Sequence, residues 1–137
     1  MSINQIQDEI IEEFSCFDDW MDRYSLLIEY GNGLEPMAQA DKNEQNLIDG
    51  CQSKVWITAE LRDGKVLYHA DSDAILVKGI VALLLRVLSD HTPQEVAQAD
   101  LYFLEAIQLK EHLSPTRSNG LVAMLNQMRL FALALSK

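Results

Sequence analysis

The residue best suited to chemistry in this sequence is Cys51, which lies in the polar segment Gly50-Cys51-Gln52-Ser53-Lys54. Structural cysteines usually have apolar neighbours, whereas this thiol is surrounded by Gly, Gln, Ser and Lys. The segment also falls between two stretches with strand character, so it is predicted to be a short loop. A thiol in such a setting is typical of a reactive cysteine.

Charged side chains would decide how readily Cys51 ionises, and nucleophilic attack requires the thiolate. Lys54 is close in sequence and would lower the pKa of the thiol, as would Arg117 or His112 if the fold brought either one near. Asp49 would raise that pKa. The sequence alone does not decide whether the pKa of the Cys51 thiol is lowered or raised.

The other residues disfavour several kinds of cysteine chemistry. A cysteine hydrolase needs a histidine base held by a third group, and His69, His91 and His112 have no recognisable partner in the sequence. A metal or iron–sulfur site needs three or four ligands, but Cys16 lies in an apolar segment and is predicted to be packed in the core. No Cys-x-x-Cys redox motif is present. One kind of cysteine chemistry remains. The thiol could accept sulfur from another cysteine's persulfide, in a reaction that follows thiol–disulfide exchange.

Length and composition predict a single domain, residues 1–137, with a substantial core, since 48% of the residues are hydrophobic. The net charge of −10 disfavours nucleic acid and anionic lipid as general partners. No secretory signal or membrane-spanning stretch is recognisable in the sequence. With two cysteines and no export signal, we expect a reducing cytoplasm and no Cys16–Cys51 disulfide.

Two helices are predicted to open the chain. Apolar residues recur at helical spacing from Ile3 to Phe14. A second helix is predicted from an N-cap at Asp18 to Tyr30, with Gly31 as its C-terminal cap.

A β-hairpin is predicted around the turn Asp63-Gly64, a strong two-residue turn signal. Such a turn pairs alternate residues on one core-facing side and places Trp56 opposite Asp71. The core-facing pairs would be Leu61 with Val66, Ala59 with Tyr68, and Ile57 with Ala70. Residues 47–49 are predicted to form a further short strand before the cysteine loop.

Helices are predicted for the rest of the chain. Asp71-Ser72-Asp73 is expected to cap an apolar helix over 74–89. Thr92-Pro93 opens another helix with Glu95 completing a capping box, and a short helix is predicted over 100–107. Ser114-Pro115 opens the last helix, in which Gly120 is unfavourable and must have a reason other than helix propensity. The order predicts an α+β fold, a small antiparallel β-sheet packed against several helices.

Several separated motifs in this order resemble the SufE family of sulfur-acceptor proteins. They are Ile48-Asp49-Gly50-Cys51-Gln52-Ser53-Lys54-Val55-Trp56, Ala70-Asp71-Ser72-Asp73-Ala74, Val77-Lys78-Gly79, and His112-Leu113-Ser114-Pro115-Thr116-Arg117-Ser118-Asn119-Gly120-Leu121. The resemblance implies the fold shared by SufE proteins and IscU cluster scaffolds. It also implies that Cys51 accepts persulfide sulfur from a pyridoxal-phosphate cysteine desulfurase, SufS- or CsdA-like, and stimulates that enzyme.

The same resemblance implies delivery of sulfur to a SufBCD-like scaffold for iron–sulfur cluster assembly. Arg117 is expected at the docking surface or in a salt bridge or cap of the last helix. Gln52, Ser53 and Trp56 are expected to shape the loop, or only to end the strand. The pyridoxal phosphate belongs to the desulfurase, so this chain is expected to bind no cofactor.

Alternatives remain open. The protein is expected to be an accessory sulfur-transfer protein rather than a self-standing enzyme, and a monomer or weak homodimer. A non-covalent activator of the desulfurase, without an obligatory persulfide on Cys51, is the alternative function. A further, minor alternative is an iron–sulfur scaffold in which Cys51 is shared across a dimer. The motifs do not separate SufE from its paralogue CsdE, nor do they identify the final sulfur recipient.

Overall fold

The structure, a computed structural model, describes residues 1–51 and 53–136. Six α-helices and two β-strands are assigned within those ranges, together with two short 3₁₀ turns, Gln39–Asp41 and Lys110–His112. In chain order they are α1 (Ile3–Ser15), α2 (Trp20–Asn32), β1 (Val55–Arg62), β2 (Lys65–Ser72), α3 (Ile75–Leu88), α4 (Pro93–Gln98), α5 (Phe103–Ala106) and α6 (Pro115–Leu135). The prediction of an α+β fold is confirmed.

The two strands form the predicted antiparallel hairpin. Its register is the predicted one at every pair, including Trp56 opposite Asp71. The turn uses Asp63 and Gly64, both with positive φ, as a two-residue turn of type I′ requires. The core side of the hairpin is shorter than predicted, because Leu61 beside the turn is 47% exposed.

Helices α3 and α6 cover the hairpin, α3 against β2 and α6 against β1. The hydroxyl of Tyr68 on β2 donates a hydrogen bond of 2.6 Å to the carbonyl oxygen of Met128 on α6. Helix α4 packs against α6, and α1 packs against α3 and α5. The predicted proline-initiated helices are confirmed, with Thr92 and Ser114 as N-caps.

Helices α2 and α3 cross at very short range. A Cβ on Gly31 would lie 2.9 Å from the backbone nitrogen of Gly79, and a Cβ on Gly79 would collide with the backbone of Leu27. The prediction of Gly31 as a helix cap is therefore wrong. Gly31 lies inside α2 and is a buried contact with α3. Gly33 takes the C-cap position, and Asp19 rather than Asp18 is the N-cap.

Four local predictions are corrected by the structure. Cys16 is exposed rather than packed in the core, because it caps the C-terminus of α1 outside the buried face of that helix. Residues 47–49 contribute only a single bridge, Leu47 to Trp56, rather than a strand. The predicted helices over 74–89 and 100–107 are shorter, since they run over Ile75–Leu88 and Phe103–Ala106.

Within the described residues, no helix combines the length and the apolar character required to cross a membrane.

Candidate functional site

Cys51 lies at the point where the chain turns from the Leu47 bridge into β1. Gly50 has a φ of +89°, a left-handed conformation that side-chain-bearing residues rarely adopt. A Cβ on Gly50 would also lie 3.4 Å from the Cβ of Ala123. Glycine thus allows the loop to turn closely over α6, and the thiol of Cys51 points toward that helix.

The Cys51 thiol is half-buried and donates a long hydrogen bond, 3.6 Å, to the carbonyl oxygen of Gly120. The contact falls at a glycine of α6 that helix propensity disfavours. A Cβ at position 120 would lie 3.4 Å from the sulfur and 3.7 Å from the Cα of Cys51. Both distances are ordinary van der Waals separations, so the loop lies directly against the helix at Gly120.

A small cavity of about 20 Å³ adjoins the thiol. Val77 and Ile80 of α3 and Met124 of α6 form apolar parts of its wall, and Ser53, Thr116 and Arg117 also border it. About 10–15 Å³ of such space holds one water-sized probe. The cavity therefore offers space for about one further atom next to the sulfur.

Burial raises the pKa of the Cys51 thiol. Burial is the cause of this shift, and no charged neighbour contributes to it in this conformation. Desolvation disfavours the thiolate. In the sheltered position the sulfur is therefore a protonated thiol and a poor nucleophile.

The end of the cysteine loop is fixed to the junction between β2 and α3. The backbone N–H of Lys54 donates to the carboxylate of Asp73 at 3.0 Å, and the Lys54 carbonyl oxygen accepts from the Ser72 hydroxyl at 2.8 Å. The same carbonyl accepts from the Asp73 N–H at 3.2 Å. The loop is therefore held to this junction at Lys54.

The predicted capping of α3 by Asp71-Ser72-Asp73 is wrong. The N-cap position is Ala74, which has no side-chain cap, although the Ser72 hydroxyl accepts from the Ala74 N–H at 3.2 Å. Asp71 is buried and forms ion pairs with Lys42 at 2.9 Å and Lys78 at 3.3 Å. Lys42 comes from a distant loop, so no local pattern indicated this use.

Burial alone would raise the pKa of Asp71, but hydrogen bonds from Lys42, the Ser72 N–H and Lys78 together lower it. The carboxylate is therefore ionised and holds together the loop before the hairpin, the end of β2 and the start of α3. This network lies at the base of the cysteine loop and supports the junction to which Lys54 is fixed.

The structure separates the residues that were predicted to shape the loop or to dock a partner. Ser53 lines the cavity and Arg117 stands exposed at its rim. Trp56 does not line the cavity. Its ring lies 5.8 Å from the Lys42 amine, near Asp71. Gln52 lies outside the described residues.

Arg117 has no carboxylate within salt-bridge distance in the described part of the chain. Its backbone N–H donates to the hydroxyl of Ser114, the N-cap of α6. The capping role therefore belongs to Ser114 and the Arg117 backbone, and Arg117 is an exposed residue that borders the Cys51 cavity.

The histidines do not reach the thiol. The His112 ring stacks on Trp20 with centroids 3.9 Å apart. His91 is buried, with its ring nitrogens 2.9 Å and 3.0 Å from the carbonyl oxygens of Ser89 and Met1. His69 is exposed on β2, 3.6 Å from Glu60. None of these rings borders the cavity beside Cys51.

Sequence reasoning did not identify the individual residues of the cavity wall. Val77, Ile80 and Met124 belong to ordinary apolar helix stripes, and only the unexplained Gly120 signalled a close contact. Across residues 1–51 and 53–136, no group of three or more His, Cys, Asp or Glu side chains is placed to hold a metal ion.

Fold and site together define a small α+β protein with one sheltered thiol between two helices, adjoining a cavity with room for one atom. Residues 8–132 match the family model described as SufE, an Fe-S metabolism associated domain. An uncharacterised SufE-like protein of Synechocystis sp. is 44% identical over 126 residues, which cover 92% of this chain and 79% of that protein.

The fold also matches the solution structure of a hypothetical protein from Thermus thermophilus. The TM-score is 0.78 over 95% of each chain at 23% identity, a likeness of fold alone. The chain belongs to the SufE family. Membership assigns it to iron–sulfur metabolism, in partnership with a cysteine desulfurase.

Proposed function

We propose that the protein is a sulfur acceptor that carries persulfide sulfur on Cys51. The observation that carries this proposal is the placement of the thiol, half-buried against Gly120 beside an apolar cavity of about 20 Å³. A persulfide has one sulfur more than a thiol, and the cavity has space of about that order. The desulfurase supplies the sulfur and binds the pyridoxal phosphate, while this chain binds no cofactor.

The transfer step needs no metal and no outside oxidant. The Cys51 thiolate attacks the outer sulfur of the donor persulfide, a new S–S bond forms on Cys51, and the donor S–S bond breaks. The donor cysteine leaves as a thiolate and takes up the proton that Cys51 released. The products are one thiol and one persulfide, as were the reactants, so atoms and electrons balance.

Cys51 must leave its shelter for this reaction, because burial raises its pKa and the thiol is not reactive in place. Gly50 provides a permissive backbone on one side of the sulfur, and the anchored Lys54 limits the movement on the other. The loop would extend into the partner, react, and return the persulfide to the cavity.

Shelter then protects the product. A persulfide exposed to solvent is open to attack by other thiols, whereas Val77, Ile80 and Met124 restrict access to the sulfur at rest. We propose that the stored sulfur passes by the same exchange reaction to a SufBCD-like scaffold. In this account the protein stimulates its desulfurase by removing the enzyme's persulfide, and it works as an accessory protein in a reducing cytoplasm, as a monomer or weak homodimer.

The residues around Cys51 receive secondary roles. Arg117, exposed at the rim without an ion-pair partner in the described chain, is proposed to contact the desulfurase. Ser53 is proposed to shape the loop next to the cavity. Trp56 acts at a distance, through the Lys42 and Asp71 network that supports the base of the loop.

The test uses Cys51→Ser in the full chain, with Cys16→Ser as the matched control for the other thiol. We expect Cys51→Ser to accept no sulfur and to lose stimulation of a cysteine desulfurase, while Cys16→Ser retains both. Unimpaired stimulation by Cys51→Ser with added reductant would instead establish the non-covalent activator.

A further inference from the structure

Helix α6 has apolar residues on opposite sides. Its inner face is buried and is formed by Leu121, Met124, Leu125, Met128 and Ala132. Its outer face still exposes Val122, Leu130 and Leu133, which are 42%, 57% and 51% accessible. A surface helix normally has a polar solvent side, and a helix that is apolar all round is normally buried. The outer face is therefore the side of α6 on which a partner would bury apolar surface.

The charge distribution also distinguishes this helix. The protein has 21 acidic residues, and the last of them in the sequence is Glu111. Pro115–Leu135 contains no carboxylate side chain and two arginines, Arg117 and Arg129. Helix α3 lacks carboxylates as well, but it is largely buried. In a molecule with a net charge of −10, α6 therefore presents an exposed face that carries no negative side chain.

Leu130 of the outer face lies on the side of α6 that the cysteine loop covers. The Cβ of Ala123 on α6 lies directly under Gly50 of that loop. Leu130 follows seven residues later, which is nearly two helical turns, so it lies on almost the same side of α6, about 10 Å along the axis. A stable interface covers about 800 Å² on each partner, equal to a disc of roughly 16 Å radius. A partner centred on Cys51 thus extends as far as Leu130.

We propose that the outer face of α6, formed by Val122, Leu130 and Leu133, is a docking surface for the cysteine desulfurase. This inference rests on the proposed function, since it uses the position of Cys51 to place the partner. The chemistry that fits is an apolar groove for the helix, with a carboxylate placed to pair with Arg117. A second copy of this chain fits less well, because each copy has a charge of −10 and the copies repel one another.

The test compares a double variant, Val122→Glu with Leu130→Glu, against Met21→Glu, which places a negative charge on an exposed apolar residue of α2. Affinity for a purified desulfurase is measured by titration calorimetry. We expect the double variant to raise the Kd about tenfold or more, which is about 1.4 kcal/mol, and the control to change it less than about twofold. Should the Glu pair lower the melting temperature, Val122→Ser with Leu130→Ser provides the same comparison.

A separate readout distinguishes docking from chemistry. Sulfur transfer to Cys51 from a small-molecule persulfide should be equal in the wild type and the double variant, because the cavity is not altered. An unchanged Kd in the double variant would overturn the docking surface even if Cys51 accepts sulfur normally. A wild-type dimer that the double variant dissociates in sedimentation would also overturn it, since a second copy would then be the occupant. Failure of the wild type to accept any sulfur would instead contradict the proposed function.

Discussion

Cys51 and Gly120 are in contact across 69 residues of sequence. Replacing Gly120 by Ala should not destabilise the helix, because Ala is favoured over Gly there by about 1 kcal/mol. The new Cβ would lie 3.4 Å from the sulfur, which is an ordinary van der Waals contact. The methyl group would, however, take up space beside the sulfur. We expect the melting temperature to be maintained and the Cys51 persulfide to lose its outer sulfur to a reductant severalfold faster.

The matched control for this variant is Gly33→Ala at the end of α2, where a Cβ makes only ordinary contacts. It should leave the lifetime of the persulfide unchanged. Equal lifetimes in Gly120→Ala and the wild type would show that the cavity beside Cys51 does not hold the transferred sulfur.

The protonation of Cys51 gives a second prediction at this scale. Burial raises the pKa of the thiol in the folded protein, so the protonated form is favoured there. The associated stability is fully present below the pKa of the unfolded thiol and is lost as the pH rises through the higher folded-state pKa. In a Cys16→Ser background, the alkylation rate of Cys51 should therefore rise with a midpoint at higher pH in the folded protein than in urea.

The measurement is the rate of iodoacetamide labelling against pH, with and without urea. A folded-state midpoint at or below the unfolded one would mean that the resting thiol is activated in place. The loop would then have no need to extend before reaction.

At the scale of elements, the crossing of α2 and α3 determines where the cavity wall stands, since α3 bears Val77 and Ile80. A side chain at Gly79 would collide with the backbone of Leu27. We expect Gly79→Ala to reduce the free energy of unfolding by about 3 kcal/mol, measured by urea denaturation. Gly33→Ala again provides the control, and an equally stable Gly79→Ala would contradict the close crossing.

Structural features that depend on residues close together in the sequence could be predicted from it. The two-residue turn at Asp63-Gly64 and the alternating pattern fix the hairpin register, because a shift by one residue would turn the core-facing side chains outward. The caps at Thr92 and Ser114 likewise depend on neighbours three residues away. Such features need no knowledge of the rest of the fold.

Long-range contacts could not be predicted in the same way. Asp71 pairs with Lys42, which is 29 residues earlier, so its carboxylate was assigned to the nearer helix end instead. Cys16 has apolar neighbours in sequence, but its position at the end of α1 leaves it exposed. Cys51 itself stood out by its polar surroundings and by the family motifs, whereas the cavity walls come from two helices that only the fold brings together.

At the scale of the whole molecule, the acidic residues are unevenly distributed. All the carboxylate side chains lie before residue 112, so α6, which contributes Arg117, Gly120 and Met124 to the Cys51 cavity, has no acidic residue. Long-range repulsion between acidic molecules opposes association of like copies. A partner carboxylate that pairs with Arg117 would meet no acidic side chain of α6.

The most direct test of the central claim is intact-protein mass spectrometry after incubation with a cysteine desulfurase and cysteine. We predict a gain of one sulfur atom on the wild type and on Cys16→Ser, and none on Cys51→Ser. A gain that persists in Cys51→Ser, or no gain on the wild type while it still stimulates the enzyme, would contradict a sulfur acceptor that works through Cys51.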